Sequence, residues 1–158
     1  MRCYHFGNYY MSSIQQGIQA AHCQMELFVK YENAIVSGYV TNQKRDLYDW
    51  AKNHKTMICL NAGANKDLHE IKELLEQEDN EYPWSYFCED EDSLGGILTN
   101  VAIVLPEKIY DAAEKIRNKQ ASFSDNSLYA NVEHGFIDNY TDFEIKLIEI
   151  LNKCALAR

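Results

Sequence analysis

The chain has 158 residues, 46% of them hydrophobic, a size and composition that suit one domain with a real core. Its 24 acidic side chains outnumber 15 basic ones, for a formal net charge of −9. That excess argues against a broad surface tracking duplex or tRNA phosphates, and no apolar run reaches membrane length.

The first element, Cys3–Tyr10 (CYHFGNYY), is aromatic and reads as a strand. A helix follows over about Ser13–Tyr31: Ser12 or Ser13 can cap it, and Ile14, Ile18, Ala21, Met25, Phe28 and Val29 recur at steps of three and four. That spacing predicts an apolar, core-facing side. The small residues Gly17, Ala20 and Ala21 would pack against the sheet or a partner helix.

The stretch NAIVSGYVTNQ mixes β-formers with turn residues and reads as a loop or short strand. KRDLYDWAKNH carries Leu47, Trp50 and Ala51 at helical spacing. Lys55–Gly63 (KTMICLNAG) is a second strand ended by a turn at Asn61–Gly63. NKDLHEIKELLEQ is amphipathic through Leu68, Ile71, Leu74 and Leu75. Strands are predicted at Trp84–Asp90 and Ile97–Leu105, joined through EDSLGG in an antiparallel return.

Pro106 suits the first turn of a helix over EKIYDAAEKIRNK, whose Ile109, Ala112 and Ile116 read as core or subunit contacts, as do Leu147, Ile148 and Leu151. QASFSDNSLYANVEHGFIDNY is irregular, and TDFEIKLIEILNKCALAR reads as a closing helix with a capping box, Thr141 and Glu144. Strands alternating with helices favour parallel pairing at the start. The expected fold is α/β, three-layer, with a mixed sheet of about four strands and helices on both faces.

The turn GNYYMSS, between the first strand and the first helix, is the leading candidate site. A helix N-terminus offers unpaired N–H groups and a positive dipole end to an anion. Tyr9 and Tyr10 can stack on a base, Asn8 can read its edge, and Ser12 and Ser13 stand at the helix start. Gln15, Gln19 and His22 share a helix face, with Gln16 beside it, and neutral amides suit base edges better than phosphates. The plain alternative is a capped helix with a solvated amide face.

Other constellations carry less chemistry. His54-Lys55-Thr56 has the H-x-T form of two-histidine phosphoesterases, but His134-Gly135-Phe136 lacks the hydroxyl a second copy needs. Glu89-Asp90-Glu91-Asp92 offers oxygens without EF-hand spacing. Cys23 and His22 are adjacent on a helix and so point about 100° apart, which disfavours a nucleophile pair. Five cysteines and five histidines show no CxxC or zinc spacing, so reduced thiols, a cytoplasmic location, no metal and no cofactor are expected.

GIQAAHCQM resembles the GKxAAQCSHA-like motif of type II peptidyl-tRNA hydrolases at Gly17, Ala20, Ala21 and Cys23. LYDWAKNHKTMICLNAG and LTNVAIVLPE resemble that family's approach to its second strand and its final strand. The resemblance covers about residues 2–110 and implies that family's α/β core there, with 111–158 as a helical C-terminal extension of one domain over 1–158. Ile18 or Gln19 stands where the family has its motif lysine, Gln24-Met25 replaces its Ser-His, and CEDEDSLGG replaces its DAGxT turn. With YYMSSIQQGIQAAHCQMELFVKY, NHKTMICLNAG and VLPEKIY, the whole chain also looks like small proteins of unassigned role encoded by tailed bacteriophages; some phage proteins of this size are oligomeric sponges for cyclic-oligonucleotide immune signals.

The expected function is therefore non-catalytic. A homo-oligomer would hold a small nucleotide-like ligand through Asn8, Tyr9, Tyr10, Ser12, Ser13, Gln16, Gln19 and His22, with no membrane and no extended nucleic acid as partner. The alternatives are a peptidyl-tRNA hydrolase, sensitive to changes at His22 or Glu89, and an acidic inhibitor of a host nucleic-acid enzyme.

Overall fold

In a computed structural model of the protein the described residues are 1–90, 92, 95–122 and 139–157. The chain forms two compact units, Met1–Leu105 with Cys154–Arg158, and Pro106–Lys153.

The first unit is built on a five-stranded mixed sheet of β1 (Arg2–Gly7), β4 (Met57–Asn61), β5 (Trp84–Cys88), β6 (Leu98–Leu105) and β7 (Ala155–Leu156). The strand order is β5-β6-β1-β4-β7. β1 and β4 are parallel, with Tyr4 opposite Ile58 and Gly7 opposite Asn61, so both chains leave the sheet at the same end. β5–β6, β6–β1 and β4–β7 are antiparallel. Between β1 and β4 run α1 (Ser13–Tyr31), a hairpin of β2 (Ile35–Val36) and β3 (Tyr39–Val40), and α2 (Asn42–Asp49). α3 (Asn65–Leu75) leads from β4 towards β5.

All eight residues of β6 are buried, which requires cover on both faces of the sheet. On one face Cys3, Ala102 and Val104 pack with Cys23, Leu27 and Tyr31 of α1 and with Leu47 and Trp50. Tyr4 and Phe6 point the other way along the pleat and are also buried. α3 reaches β6 as well and buries Leu68, Ile71, Leu74 and Leu75, the face its spacing predicted.

Three expectations change. The sheet has five strands rather than about four. The extra one, β7, lies where a helix was read to the chain end: α5 (Asp142–Lys153) stops at Lys153, and the chain then extends along β4, with Ala157 N–H donating to Cys59 at 3.0 Å. Apolar side chains at 155 and 156 satisfy a helical period as well as a strand's, so spacing could not separate the two.

The loop-or-strand stretch is a hairpin turned at Ser37 and Gly38, both with positive φ (52° and 81°), the geometry of a tight two-residue turn. Finally, α1 does not bury its predicted apolar face. Gln16, Gln19, Ala20, Cys23, Leu27 and Tyr31 are inside, while Ile14, Ile18, Met25 and Val29 are 76%, 48%, 62% and 64% exposed. Of the three small residues, only Ala20 packs inward; Gly17 and Ala21 are exposed.

The second unit pairs α4 (Glu107–Ser122) with α5. Its core includes Ile109, Ala112, Leu147, Ile148 and Leu151. Lys108 Nζ meets both Glu144 carboxylate oxygens at 3.1 Å, and Thr141 and Glu144 form the expected capping box. Glu91, Ser93 and Leu94 of the EDSLGG return and residues 123–138, including His134, lie outside the described residues.

Candidate functional site

The parallel ends of β1 and β4 form one backbone corner. Tyr9 N–H donates to Gly63 C=O at 2.9 Å, and Ala62 N–H donates to Gly7 C=O at 3.0 Å. Gly63 has φ +96°, and a Cβ there would meet the Asp67 carboxylate at 2.5 Å, so only glycine fits. Asn8 is buried and its Oδ1 accepts from Tyr10 N–H at 3.0 Å, closing the turn. Asn8 thus shapes the corner through this bond.

Ser12 is the N-cap of α1. Its hydroxyl accepts from Gln15 N–H at 3.3 Å, and Gln15 Oε1 accepts from Ser12 N–H at 3.0 Å. This capping box leaves the first-turn N–H groups of Ser13 and Ile14 without intrahelical acceptors. The first turn of α1 holds no acidic side chain, whereas α3, α4 and α5 carry Asp67, Glu107, and Asp142 with Glu144 there. From Cys3 to Met25 there is no Asp, Glu, Lys or Arg at all, so the −9 charge arises elsewhere. The dipole end of α1 is therefore not neutralised by a carboxylate of its own turn.

Beside this turn opens a cavity of about 380 Å³ lined by Tyr9, Met11, Gln16, Asn61, Ala155 and Leu156. The volume lies in the range of small-ligand sites. Gln16 is only 5% exposed. Its Nε2 donates to Met11 C=O at 3.1 Å, while its buried Oε1 has no hydrogen-bond partner among the described residues. A Cβ on Gly7 would lie 3.3 Å from that oxygen, so the glycine gives the amide its space. A buried unpaired acceptor costs about 1–3 kcal/mol. Asn61 Oδ1 accepts from Gly63 N–H at 3.3 Å, leaving its Nδ2 to donate elsewhere.

Tyr9 and Tyr10 do not fill the cavity. They stack at 3.9 Å, tilted by 35°, and are 45% and 74% exposed. The Tyr9 phenol is held above its usual range by its hydrogen bond with Tyr10, then by partial desolvation.

The remaining candidates lie outside the cavity lining. Gln19 is buried in a separate cluster, its Oε1 accepting from Thr99 Oγ1 at 2.9 Å and its Nε2 donating to Glu89. His22 is exposed and edge-on to Phe87, ring centroids 4.7 Å apart. His54 pairs with Asp49 at 3.3 Å on the surface. Among the described residues no group of three His, Cys, Asp or Glu is placed to hold a metal ion. Cys23 is buried near Asn100 C=O, and burial pushes its thiol well above the usual range, against thiolate chemistry.

Sequence reasoning missed Met11, Asn61, Ala155 and Leu156 as lining residues. The Asn61–Gly63 turn was legible as a turn, but its pairing with the Tyr9 corner follows from the parallel register. Ala155 and Leu156 carry no polar signal and reach the site only because β7 joins β4. Against models of protein families and against the curated proteins the chain finds no match, so the reading of this corner rests on its own geometry.

Proposed function

We propose that the protein is a non-catalytic binding module that holds a small nucleotide-like ligand at the corner between β1 and α1. The carrying observation is Gln16: a nine-tenths-buried amide on the wall of the cavity whose Oε1 lacks a donor. An amino-bearing base would supply that donor once the Gln16 amide turns its oxygen to the cavity, Asn61 Nδ2 can donate to a ring nitrogen or carbonyl, and Tyr9 offers a stacking face. The first turn of α1 suits a phosphate through its N–H groups rather than through cationic side chains. The corner holds donors and acceptors, and its lining includes no nucleophile paired with a base. A phage sponge that sequesters a cyclic-oligonucleotide signal as an oligomer is the fullest form of this reading.

Calorimetry with a panel of cyclic di- and trinucleotides and with mononucleotides tests it. We expect saturable heat with at least one ligand, weakened at least tenfold by Gln16→Leu. Absence of heat across the panel overturns the proposal.

A second reading is ester hydrolysis on a type II peptidyl-tRNA hydrolase-like fold. The GIQAAHC resemblance favours it, as does the cluster that joins Gln19 to Glu89 and Thr99. It requires release of a blocked aminoacyl group from tRNA, lost in Glu89→Gln; absence of release removes this reading.

A further inference from the structure

The outward face of α1 calls for a partner. At 100° per residue, Ile14, Ile18, Ala21, Met25 and Val29 fall within an arc of about 80°, opposite the buried face of Gln16, Gln19, Ala20, Cys23, Leu27 and Tyr31. The stripe follows steps of four, three, four and four. It is narrower than the apolar face of a helix lying on a sheet and matches the seam by which one helix meets another. Ala21 at its centre lets two backbones come close, and Gly17 flanks it.

We propose that α1 pairs with α1 of a second copy, antiparallel, about a two-fold axis between positions 21 and 22. Three observations select this occupant.

The first is register. About that axis Ile14 lies opposite Val29 of the second copy and Ile18 opposite its Met25, so the four exposed large side chains pair among themselves, as a self-complementary two-fold contact requires. The second is charge. Two copies each carrying −9 repel over most of their surfaces, but residues 3–25 hold no formal charge, so contact along this face brings few like charges together. The third is the helix dipole. Antiparallel pairing sets the uncompensated N-terminal end of each α1 beside the C-terminal end of the other, whereas a parallel pair sets two positive ends together.

The same register carries the hairpin that follows α1 towards the end of the second copy where Tyr9 and Tyr10 stand. Ile35, Val36, Tyr39 and Val40 of that hairpin are all more than half exposed, so a second apolar surface gains cover from the same contact. This pairing does not depend on any ligand.

Light scattering on the eluting full chain tests the proposal. The wild type is expected at twice its 18.3 kDa mass, and Ile18→Glu with Met25→Glu at the single mass with an unchanged far-ultraviolet dichroism spectrum. Oxidative cross-linking fixes the register: Ala21→Cys links to itself, while Ile14→Cys links to Val29→Cys in a mixture and not to itself. A wild-type monomer at tens of micromolar, a dimer that survives the double glutamate variant, or self-linking of Ile14→Cys each overturns it. The double variant should still bind the calorimetric ligand, which separates failure here from failure of the binding site.

Discussion

α3 and α1 are both amphipathic helices covering the same sheet, yet they use their apolar residues in opposite ways. α3 turns Leu68, Ile71, Leu74 and Leu75 inward and presents Lys66, Glu70 and Glu73 outward. α1 turns two glutamines inward near its start and leaves Ile14, Ile18, Met25 and Val29 outside. A helix that only completes a core has no reason to bury Gln16 with an oxygen unpaired. The difference teaches that helical periodicity alone does not say which face of a helix meets the sheet: α3 packs its apolar face inward, and α1 leaves most of its own outside.

The comparison is open to attack at several points. The largest effect is expected in α3: Leu75→Ala, at a fully buried position, should lower stability by about 2–5 kcal/mol in urea unfolding. If Ile18→Ala in α1 cost as much under dilute conditions, the contrast would collapse. Next comes Gln19→Leu, at about 1–3 kcal/mol by the same measurement, because it strips Glu89 of its amide donor and leaves the Thr99 hydroxyl only Phe87 C=O as acceptor.

Gln16→Leu should behave differently although its burial is similar. It removes an unpaired acceptor together with a single bond to Met11, so stability should stay within about 1 kcal/mol of the wild type, or rise, while ligand heat is lost. Equal losses for the two glutamines would remove the reason for singling out Gln16. The smallest effect is expected for Ile18→Glu in dilute monomer, within about 0.5 kcal/mol.

Acid sharpens the same contrast from behind α1. His5 is buried between Asn100 Oδ1 at 3.1 Å and Gln24 Oε1 at 3.2 Å. Burial is the main influence and holds its imidazole below the usual 6.5. The unfolded chain therefore takes up a proton that the native state resists. This site costs nothing above pH 6.5, and stability falls as the pH drops below it. Thermal unfolding between pH 7 and 5 should show that fall, flattened in His5→Gln; an identical fall in the variant would place the acid sensitivity elsewhere.

Much of the fold was legible locally. Ser12 before an apolar-periodic run, Pro106 at a helix start and the Thr141–Glu144 pair mark helix starts through groups adjacent in sequence. The glycine-rich turns are equally local. At the site, the tyrosines, the capping serine and Gln16 were legible because they lie within one short stretch. Asn61 and Leu156 were not, because only strand pairing brings them to Tyr9 and Gln16. Gln16 and Gln19, three apart on one helix, looked like partners; Gln16 turns to the cavity and Gln19 to β6.

The sequence by itself determined the order of the main helices and of four of the five sheet strands, the uncharged opening stretch and the capped start of α1, because propensity, capping and charge act between near neighbours. Only the tertiary structure decided which side of α1 meets the sheet, that the chain end returns as β7, and that the Gln16 oxygen is buried without a donor among the described residues. A helical period defines two opposite faces equally well. The choice between them is made by how the whole sheet packs.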